Sequence, residues 1–483
     1  MRSLLTLLLL GTCFHLLAQK APAPYGPVPA KQQLAWHETE LYGLIHFTPT
    51  TYENKEWGYG DADPKIFNPL QFDAEQIIKA ARAGGLKGVI LVAKHHDGFA
   101  LWPTKTTDYN ISKSPFRDGK GDMVKEIEQA ARKNGLKFGI YCSPWDRNHP
   151  KYGTADYLAV YQTQLSELYS HYGELFMSWH DGANGGDGYY GGAREKRSID
   201  NTTYYDWKNT WQITRNRQPM ASIFSDIGPD VRWVGNEKGG AADTCWATFT
   251  PMPPKGKNVA VPGQSNYPDS PKGIRNGQFW MPAECDVPLR RGWFYHPNEK
   301  PKTPDQLFEL YLQSVGRGAA LDLGLAPDTR GLLHEDDVAS LKAFGDRLQH
   351  TFAVNLAGKA TITVSNSRGR SFKAAHMTDQ KRDTYWASAD EVTEATIRLN
   401  FKKLVTFDII SLQEYIALGQ RIDSYTVEAL QNGQWTTLTT GASIGAKRLV
   451  KLRQPVSSDA VRVRLKAPVC LTLSELGLYK ITD

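Results

Sequence analysis

Residues 72–99 read FDAEQIIKAARAGGLKGVILVAKHHDGF, and this stretch decides the fold. Phe72-Asp73-Ala74-Glu75 opens a helix, because the Asp73 carboxylate can cap the first free backbone N–H groups. Gly84-Gly85 stops the helix, and Gly88-Val89-Ile90-Leu91-Val92 is an unbroken apolar run, the pattern of a strand buried on both faces. The unit then repeats. A helix over Met123 to Lys133 ends at Gly135, before a strand over Leu136 to Tyr141, and a helix over Tyr157 to Tyr172 precedes a strand over Leu175 to Trp179. Helix, glycine and strand in rotation predict parallel βα units. About 310 residues, from Leu41 to His350, hold enough of them to close a (β/α)8-like, TIM-type barrel, which takes roughly 250 residues plus insertions.

Beyond Asn355 the period changes. Thr361-Ile362-Thr363-Val364, Ala395 to Leu399, Val405 to Leu412, Tyr425-Thr426-Val427 and Val461 to Arg464 alternate between Gly, Asn and Asp turns, which predicts a C-terminal β-sandwich. The expected division is a leader over 1–18, a barrel over 19–352 and a sandwich over 353–483, with the joint near Ala357-Gly358.

The leader rests on chemistry as well as position. Met1-Arg2-Ser3 is a basic start, Leu4 to Leu10 is apolar but too short to span a bilayer, and Ala18 offers a small residue for cleavage. The expectation is an exported protein, periplasmic or secreted, with no transmembrane segment. Cys13 raises the alternative of a lipoprotein, but the residue before it is Thr12 rather than a small one. Four further cysteines, Cys142, Cys245, Cys285 and Cys470, have no paired spacing and read as small buried hydrophobes rather than a disulfide or zinc framework.

The 483-residue chain carries 57 Lys and Arg against 51 Asp and Glu, with no basic tract, so nucleic acid is not an expected partner. The 13 Trp, 22 Tyr and 18 Phe suit either large cores or surfaces that stack on sugars and bases.

Chemistry in such a barrel sits at the C-terminal strand ends. Those ends read Leu44-Ile45-His46-Phe47, Lys94-His95-His96-Asp97, Tyr141-Cys142-Ser143-Pro144-Trp145, Trp179-His180-Asp181-Gly182, Phe224-Ser225-Asp226, Arg232-Trp233-Val234-Gly235-Asn236-Glu237 and Trp280-Met281-Pro282-Ala283-Glu284. Ionisable and aromatic groups recur at every one, which points to an enzyme pocket. Phe47, Trp57, Phe99, Tyr141, Trp145, Trp233 and Trp293 are the aromatics expected to face it.

His95-His96 could suggest a metal pair, but neighbouring strand residues face opposite ways and no carboxylate ligand set accompanies them, so no metal is expected. Donors to sugar hydroxyls, or simply one core and one exposed histidine, are the other readings. Asp181, followed by glycines that leave its approach open, is either a turn aspartate or a reacting carboxylate. Glu237 could be its partner. Two carboxylates about 5–5.5 Å apart are the minimum for retaining glycoside cleavage, one attacking the anomeric carbon and one protonating the departing oxygen. Trp233 beside Glu237 would help to raise that acid's pKa by excluding water.

These residues carry a resemblance. Gly43 to Phe47, Glu56-Trp57, Phe67 to Asp73, Ala93 to Phe99, Tyr141 to Trp145, Trp179 to Ala183, Trp293 to His296 and Leu323 to Asp328 together resemble glycoside hydrolase family 29, the retaining α-L-fucosidases. Gly228 to Glu237 and Pro282 to Asp286 resemble its subgroup acting on α-1,3- and α-1,4-linked fucose in branched, Lewis-type glycans. Asp383 to Ser388 and Leu412 to Ile416 are similar to discoidin-like, family 32 carbohydrate-binding modules of the galactose-binding-like jelly-roll type.

The resemblance implies Asp181 as nucleophile and Glu237 as acid/base, with Glu284 as runner-up and otherwise a substrate-binding residue. It implies His46, His95 and His96 on the fucose hydroxyls, with Glu56 and Trp57 alongside, and Tyr141 beside the nucleophile. Trp145 and Trp233 line the pocket, and Trp293 packs near the C5 methyl. The implied partner is a fucosylated glycan, with a subsite for the neighbouring galactose. No cofactor is implied for catalysis, though modules of this type often hold a structural calcium ion. His180 is a departure, standing where many members have Phe or Leu, and it bears on fine specificity. A retaining glycosidase for another sugar, such as an α-galactoside, and a non-catalytic glycan-binding protein are the competing readings.

Overall fold

The computed structural model describes residues 20–263 and 268–482. The leader over 1–18 and Cys13 lie outside the described residues. Eight parallel strands close into a barrel in which every strand neighbours the next in sequence: β1 (Leu41–Ile45), β2 (Gly88–Lys94), β3 (Lys137–Cys142), β4 (Met177–Trp179), β5 (Ser222–Ser225), β6 (Val231–Trp233), β7 (Ala283–Pro288) and β8 (Ala320–Leu325), which pairs with β1.

Local chemistry places the flanking helices. α1 (Ala74–Ala83) starts where Asp73 Oδ1 accepts from the backbone of Glu75 at 2.9 Å and Gln76 at 3.2 Å, a cap worth about 1 kcal/mol. It ends at Gly84, and Gly85 follows in the left-handed region at φ +81°, which glycine adopts without strain. α2 (Met123–Lys133) is capped in the same way by Asp122. α3 (Tyr157–His171), α4 (Trp207–Arg217), α5 (Pro304–Gln313) and α6 (Glu335–Phe352) complete the set. The alternation expected from the sequence is interrupted twice. β5 and β6 are joined by residues 226–230 alone, and the described residues between β6 and β7 form no helix.

Two cores result. Inside the barrel, Tyr42, Leu44, Ile90, Val92, Tyr141, Met177, Trp179 and Phe224 pack together. Between strands and helices, Val89, Leu91, Ile77, Ile127, Phe138 and Leu165 form the larger outer core.

The C-terminal unit is antiparallel. β9 (Thr361–Val364), β10 (Glu394–Gln413), β11 (Ser424–Gln431), β12 (Gln434–Gly441), β13 (Arg448–Lys466) and β14 (Glu475–Tyr479) form one sheet, with a separate strand pair at Trp386–Ala387 and Thr472–Leu473. Ala395 to Leu399 and Val405 to Leu412, which read as separate strands, are one strand with a register shift between Asn400 and Val405.

The two units meet at the N-terminal end of the barrel. Glu40, just before β1, binds Lys447 of the sandwich at 2.6 Å, Arg382 at 3.0 Å and Lys87 at 2.9 Å. Those cations hold its carboxyl far below the usual carboxylate range against the opposing cost of burial. Arg448 reaches Asp243 at 2.7 Å, and Arg275 reaches Asp423 at 2.6 Å.

Candidate active site

Asp181 stands two residues past β4. Its Oδ2 accepts from the Tyr141 hydroxyl at 3.0 Å and its Oδ1 from the backbone N–H of Ala183 at 2.6 Å, so both oxygens are oriented. It lines an open cavity of about 290 Å³ together with Trp179, Gly182, Phe224, Asp226, Trp233, Glu237 and Asp286. Glu237, four residues past β6 and so two strands round the rim from Asp181, lines the same cavity. Loss of hydration among its neighbours raises its carboxyl above the usual value, and the charges of Asp181 and Glu56 add to the rise, while a hydrogen bond with Trp293 opposes it.

The histidines gather on the other flank. β2 ends at Lys94, and past that point His95 and His96 no longer alternate across a sheet; their rings lie 4.1 Å apart. His46, the first residue after β1, is 5.4 Å from His95 and 5.2 Å from the Trp293 ring. Burial pushes His46 down to about 3 and lowers His95 and His96, so all three imidazoles are neutral at pH 7. For His96 the tautomer follows from its partner. Ser143 Oγ donates to the Trp145 carbonyl at 2.8 Å, so it can only accept from His96 Nδ1, also at 2.8 Å. Nε2 therefore carries a lone pair, 3.8 Å from Asp181 Oδ2.

Glu56 accepts from the backbone N–H of Trp293, from that of Phe294 at 3.1 Å and from His296 Nε2 at 3.3 Å. Gly324 on β8 leaves room for the Trp293 ring, because a Cβ there would lie 2.7 Å from it. Trp57 is 52 % exposed at the mouth, with His96 at 5.1 Å and Trp145 at 5.6 Å. Trp145 is fixed by its own donation to the Tyr190 hydroxyl at 3.0 Å.

His46, Glu56, Trp57, His95, His96, Tyr141, Trp145, Trp233, Glu237 and Trp293 thus join Asp181 in one continuous set of contacts. Glu284 does not. The expectation that 280–284 is a strand end is corrected, because β7 runs from Ala283 to Pro288 and makes Glu284 its second residue. Glu284 lies deep in the barrel at 0 % exposure, bonded to Trp179 and Tyr42.

His180 is also relocated. It faces out of the barrel, buried between α3 and α4, where its ring bonds the Tyr161 hydroxyl at 2.9 Å and Ser178 Oγ at 2.9 Å and packs on Trp207. Phe47 and Phe99 pack on Phe67 in the outer core at 5.1 and 5.2 Å rather than facing the cavity.

Sequence reasoning did not single out Phe224, Asp226 and Asp286 as site residues, although all three line the cavity. Asp226 binds the backbone of Gly263 at 2.9 Å. Asp286 was legible in principle, since it shares the inward face of β7 with Glu284 two residues earlier. Burial and the neighbouring Glu284 carboxyl hold Asp286 well above the usual aspartate range.

A closed parallel barrel whose C-terminal rim lines one open cavity with Asp181, Asp226, Glu237 and Asp286, and sets three neutral imidazoles and further aromatics beside Asp181, is built to bind and cleave a neutral sugar. The family comparison gives the class its name: residues 25–351 match the alpha-L-fucosidase model and residues 361–474 the F5/8 type C domain, and the chain belongs to the alpha-L-fucosidase family of glycoside hydrolases. Alpha-L-fucosidase 1 of Arabidopsis thaliana is 40% identical over 466 residues, 95% of this chain and 88% of the relative. A putative alpha-L-fucosidase from Bacteroides thetaiotaomicron superimposes with a TM-score of 0.87 at 35% identity, covering 96% of this chain and 100% of its own. A Ruminococcus gnavus GH29 fucosidase in complex with fucose gives 0.86 at 30% identity, covering 96% and 97%. Among the described residues, no group of three His, Cys, Asp or Glu side chains gathers to hold a metal ion, and no helix is long and apolar enough to cross a membrane.

Proposed function

We propose that the protein is a retaining, exo-acting α-L-fucosidase that removes α-1,3- and α-1,4-linked L-fucose from branched, Lewis-type glycans by double displacement. The observation that supports this reading is that an oriented carboxylate and one whose pKa is raised line a single cavity. Asp181 has both oxygens tied down, which aims it for attack on an anomeric carbon. Glu237 faces the same cavity with its carboxyl raised, the state a general acid needs.

In the first step Asp181 attacks and Glu237 protonates the departing glycosidic oxygen, which forms a covalent fucosyl ester. In the second, Glu237 takes a proton from water as that water opens the ester and releases L-fucose with its configuration kept. His46, His95 and His96 stay neutral throughout and exchange hydrogen bonds with hydroxyls; the lone pair on His96 Nε2 accepts one. Trp293, beside His46, offers an apolar wall to the C5 methyl that fucose has and galactose lacks. No cofactor enters these steps.

The linkage preference rests on the resemblance of Gly228 to Glu237 and Pro282 to Asp286 to the 1,3/1,4-acting subgroup. The short basic and apolar start supports export to the periplasm or the medium. In the sandwich, Glu475 Oε1 is buried with no hydrogen-bond partner in the structure, and burial next to Asp379 pushes the carboxyl up to about 7. A buried acceptor beside a second carboxylate suits a hard divalent cation, so Glu475 and Asp379 are the residues that would hold a structural calcium ion.

A panel of aryl glycosides tests the reading, with the anomer of the first product followed by NMR. Release of α-L-fucose from the fucoside is expected. Exclusive turnover of an α-galactoside, first release of the β anomer, or inertness on every glycoside would each overturn it.

A further inference from the structure

Glu284 is a buried carboxylate that the double displacement does not use. It has 0 % exposure and does not line the cavity. Its two oxygens nevertheless have distinct partners. Oε1 accepts from the Trp179 indole N–H at 2.7 Å, and Oε2 accepts from the Tyr42 hydroxyl. Tyr42 in turn accepts from Trp36 Nε1 at 3.1 Å, which anchors the arrangement to the N-terminal end of the barrel.

Trp179 does reach the cavity, and its ring is the middle of three. Phe224 stacks on one face at 4.3 Å with 17° between planes, and Tyr141 on the other at 4.7 Å with 29°. Tyr141 is the residue whose hydroxyl meets Asp181 Oδ2 at 3.0 Å. Stacking leaves a ring free to slide and rotate in its own plane, so the stack alone does not fix Trp179. The indole N–H can only donate, and buried without an acceptor it would carry the full cost of desolvation. Its single bond to Glu284 therefore sets the in-plane orientation of the indole.

We propose that Glu284 is a positioning residue that locks the Trp179 indole and, through the Trp179–Tyr141 stack, holds Tyr141 on the nucleophile Asp181. The proposal deepens the fucosidase reading and rests on it. It also assigns Glu284 a place other than acid/base, in which the group must accept hydrogen bonds and never transfers a proton to substrate.

The amide of Glu284→Gln keeps an oxygen for the indole N–H and offers an N–H₂ to Tyr42, whose oxygen can accept. Glu284→Leu fills the volume with no acceptor. Turnover of a 4-nitrophenyl α-L-fucoside is measured for the full chain as wild type, E284Q, E284L, W179F and E284L/W179F, with melting temperatures and pH profiles for each. The expected result is that E284Q stays within about threefold of wild type in kcat/KM and keeps its alkaline limb. E284L falls about 30-fold in kcat with KM little changed, a loss typical of a misplaced rather than missing reacting group. Because Glu284 acts through Trp179, E284L/W179F should be no worse than W179F by more than about twofold.

The proposal is overturned if E284Q collapses with E284L and azide restores turnover, which is acid/base behaviour. It is equally overturned if E284L matches wild type, or if the losses of E284L and W179F multiply. Should E284L not fold, Glu284→Met and the E284Q result decide the question. Failure of the fucosidase reading looks different: wild type then turns over another aryl glycoside, and the E284Q to E284L ratio is read on that substrate.

Discussion

Tyr141 Oη lies 3.0 Å from Asp181 Oδ2 and donates to it. Burial and the neighbouring aspartate hold the phenol far above its ordinary pKa, so it remains a donor over the whole working pH range. Tyr141→Phe should lower kcat by about 10- to 100-fold, the worth of a hydrogen bond to a charged group, with a melting temperature near that of wild type. Unchanged kcat would mean that the bond does not support the nucleophile.

Removal of the proposed nucleophile is the stronger test. Asp181→Ala should cost on the order of 10⁴-fold or more in turnover of an aryl fucoside. Azide, small enough to enter the vacated space, should restore part of it and yield a β-fucosyl azide identifiable by NMR. Near-wild-type activity of the variant would dismiss Asp181 from this role.

The pH profile follows from Glu237. In the proposed double displacement the first step needs its proton, so kcat/KM should fall as pH rises through its elevated pKa. Trp293 stabilises the charged form by its hydrogen bond and so opposes the elevation. Trp293→Phe removes that bond, and the alkaline limb should move to higher pH even as KM rises. Glu237→Ala should retain much of its first step on an activated aryl fucoside, which needs no proton, and stall on a natural glycan. A normal alkaline limb in Glu237→Ala would remove the assignment.

Deeper in the barrel, Asp322 pairs in register with Asp286 and with Tyr42, and neither of its carboxyl oxygens has a hydrogen-bond partner. Burial and the Glu284 and Asp286 carboxyls hold its pKa well above the usual range. Such a group keeps its proton when folded and loses it when unfolded, so its contribution is full below pH 4 and declines as pH rises. Asp322→Asn cannot ionise. Its melting temperature should gain on wild type between pH 4 and pH 8, and a constant difference across that range would refute the account.

Glu40 offers the opposite sign. Its carboxyl is depressed by Lys447, Lys87 and Arg382, so its stabilisation is present above the ordinary carboxylate pKa and is lost only in strong acid. Glu40→Gln leaves the cations of two units without their common partner. Because two of those cations are partly exposed, about 2 kcal/mol is expected, read as a lower melting temperature at pH 7 that high salt narrows. Equal melting of both proteins at low salt would show that the cluster does not hold the units together.

The sequence alone determined the local elements of this protein. Asp73 and Asp122 cap helices through their own side chains, Gly85 and Gly135 end them, and Val89 to Val92 can only be a strand buried on both sides. Each of these depends on neighbours a few residues away. Asp181, past a short strand and followed by glycine, was legible for the same reason.

What only the tertiary structure decided is depth along the barrel axis and facing. Ala283 begins β7 instead of ending it, because the segment before it belongs to the long connection from β6, and that places Glu284 beneath the cavity and Asp286 beside it. The side on which His180 falls depends on where the alternation of β4 breaks. Glu56 meets the backbone of Trp293 across 237 residues, a contact that closure of β8 on β1 alone creates. Local hydrogen bonds fix which element forms, whereas barrel closure fixes which end of a strand meets substrate.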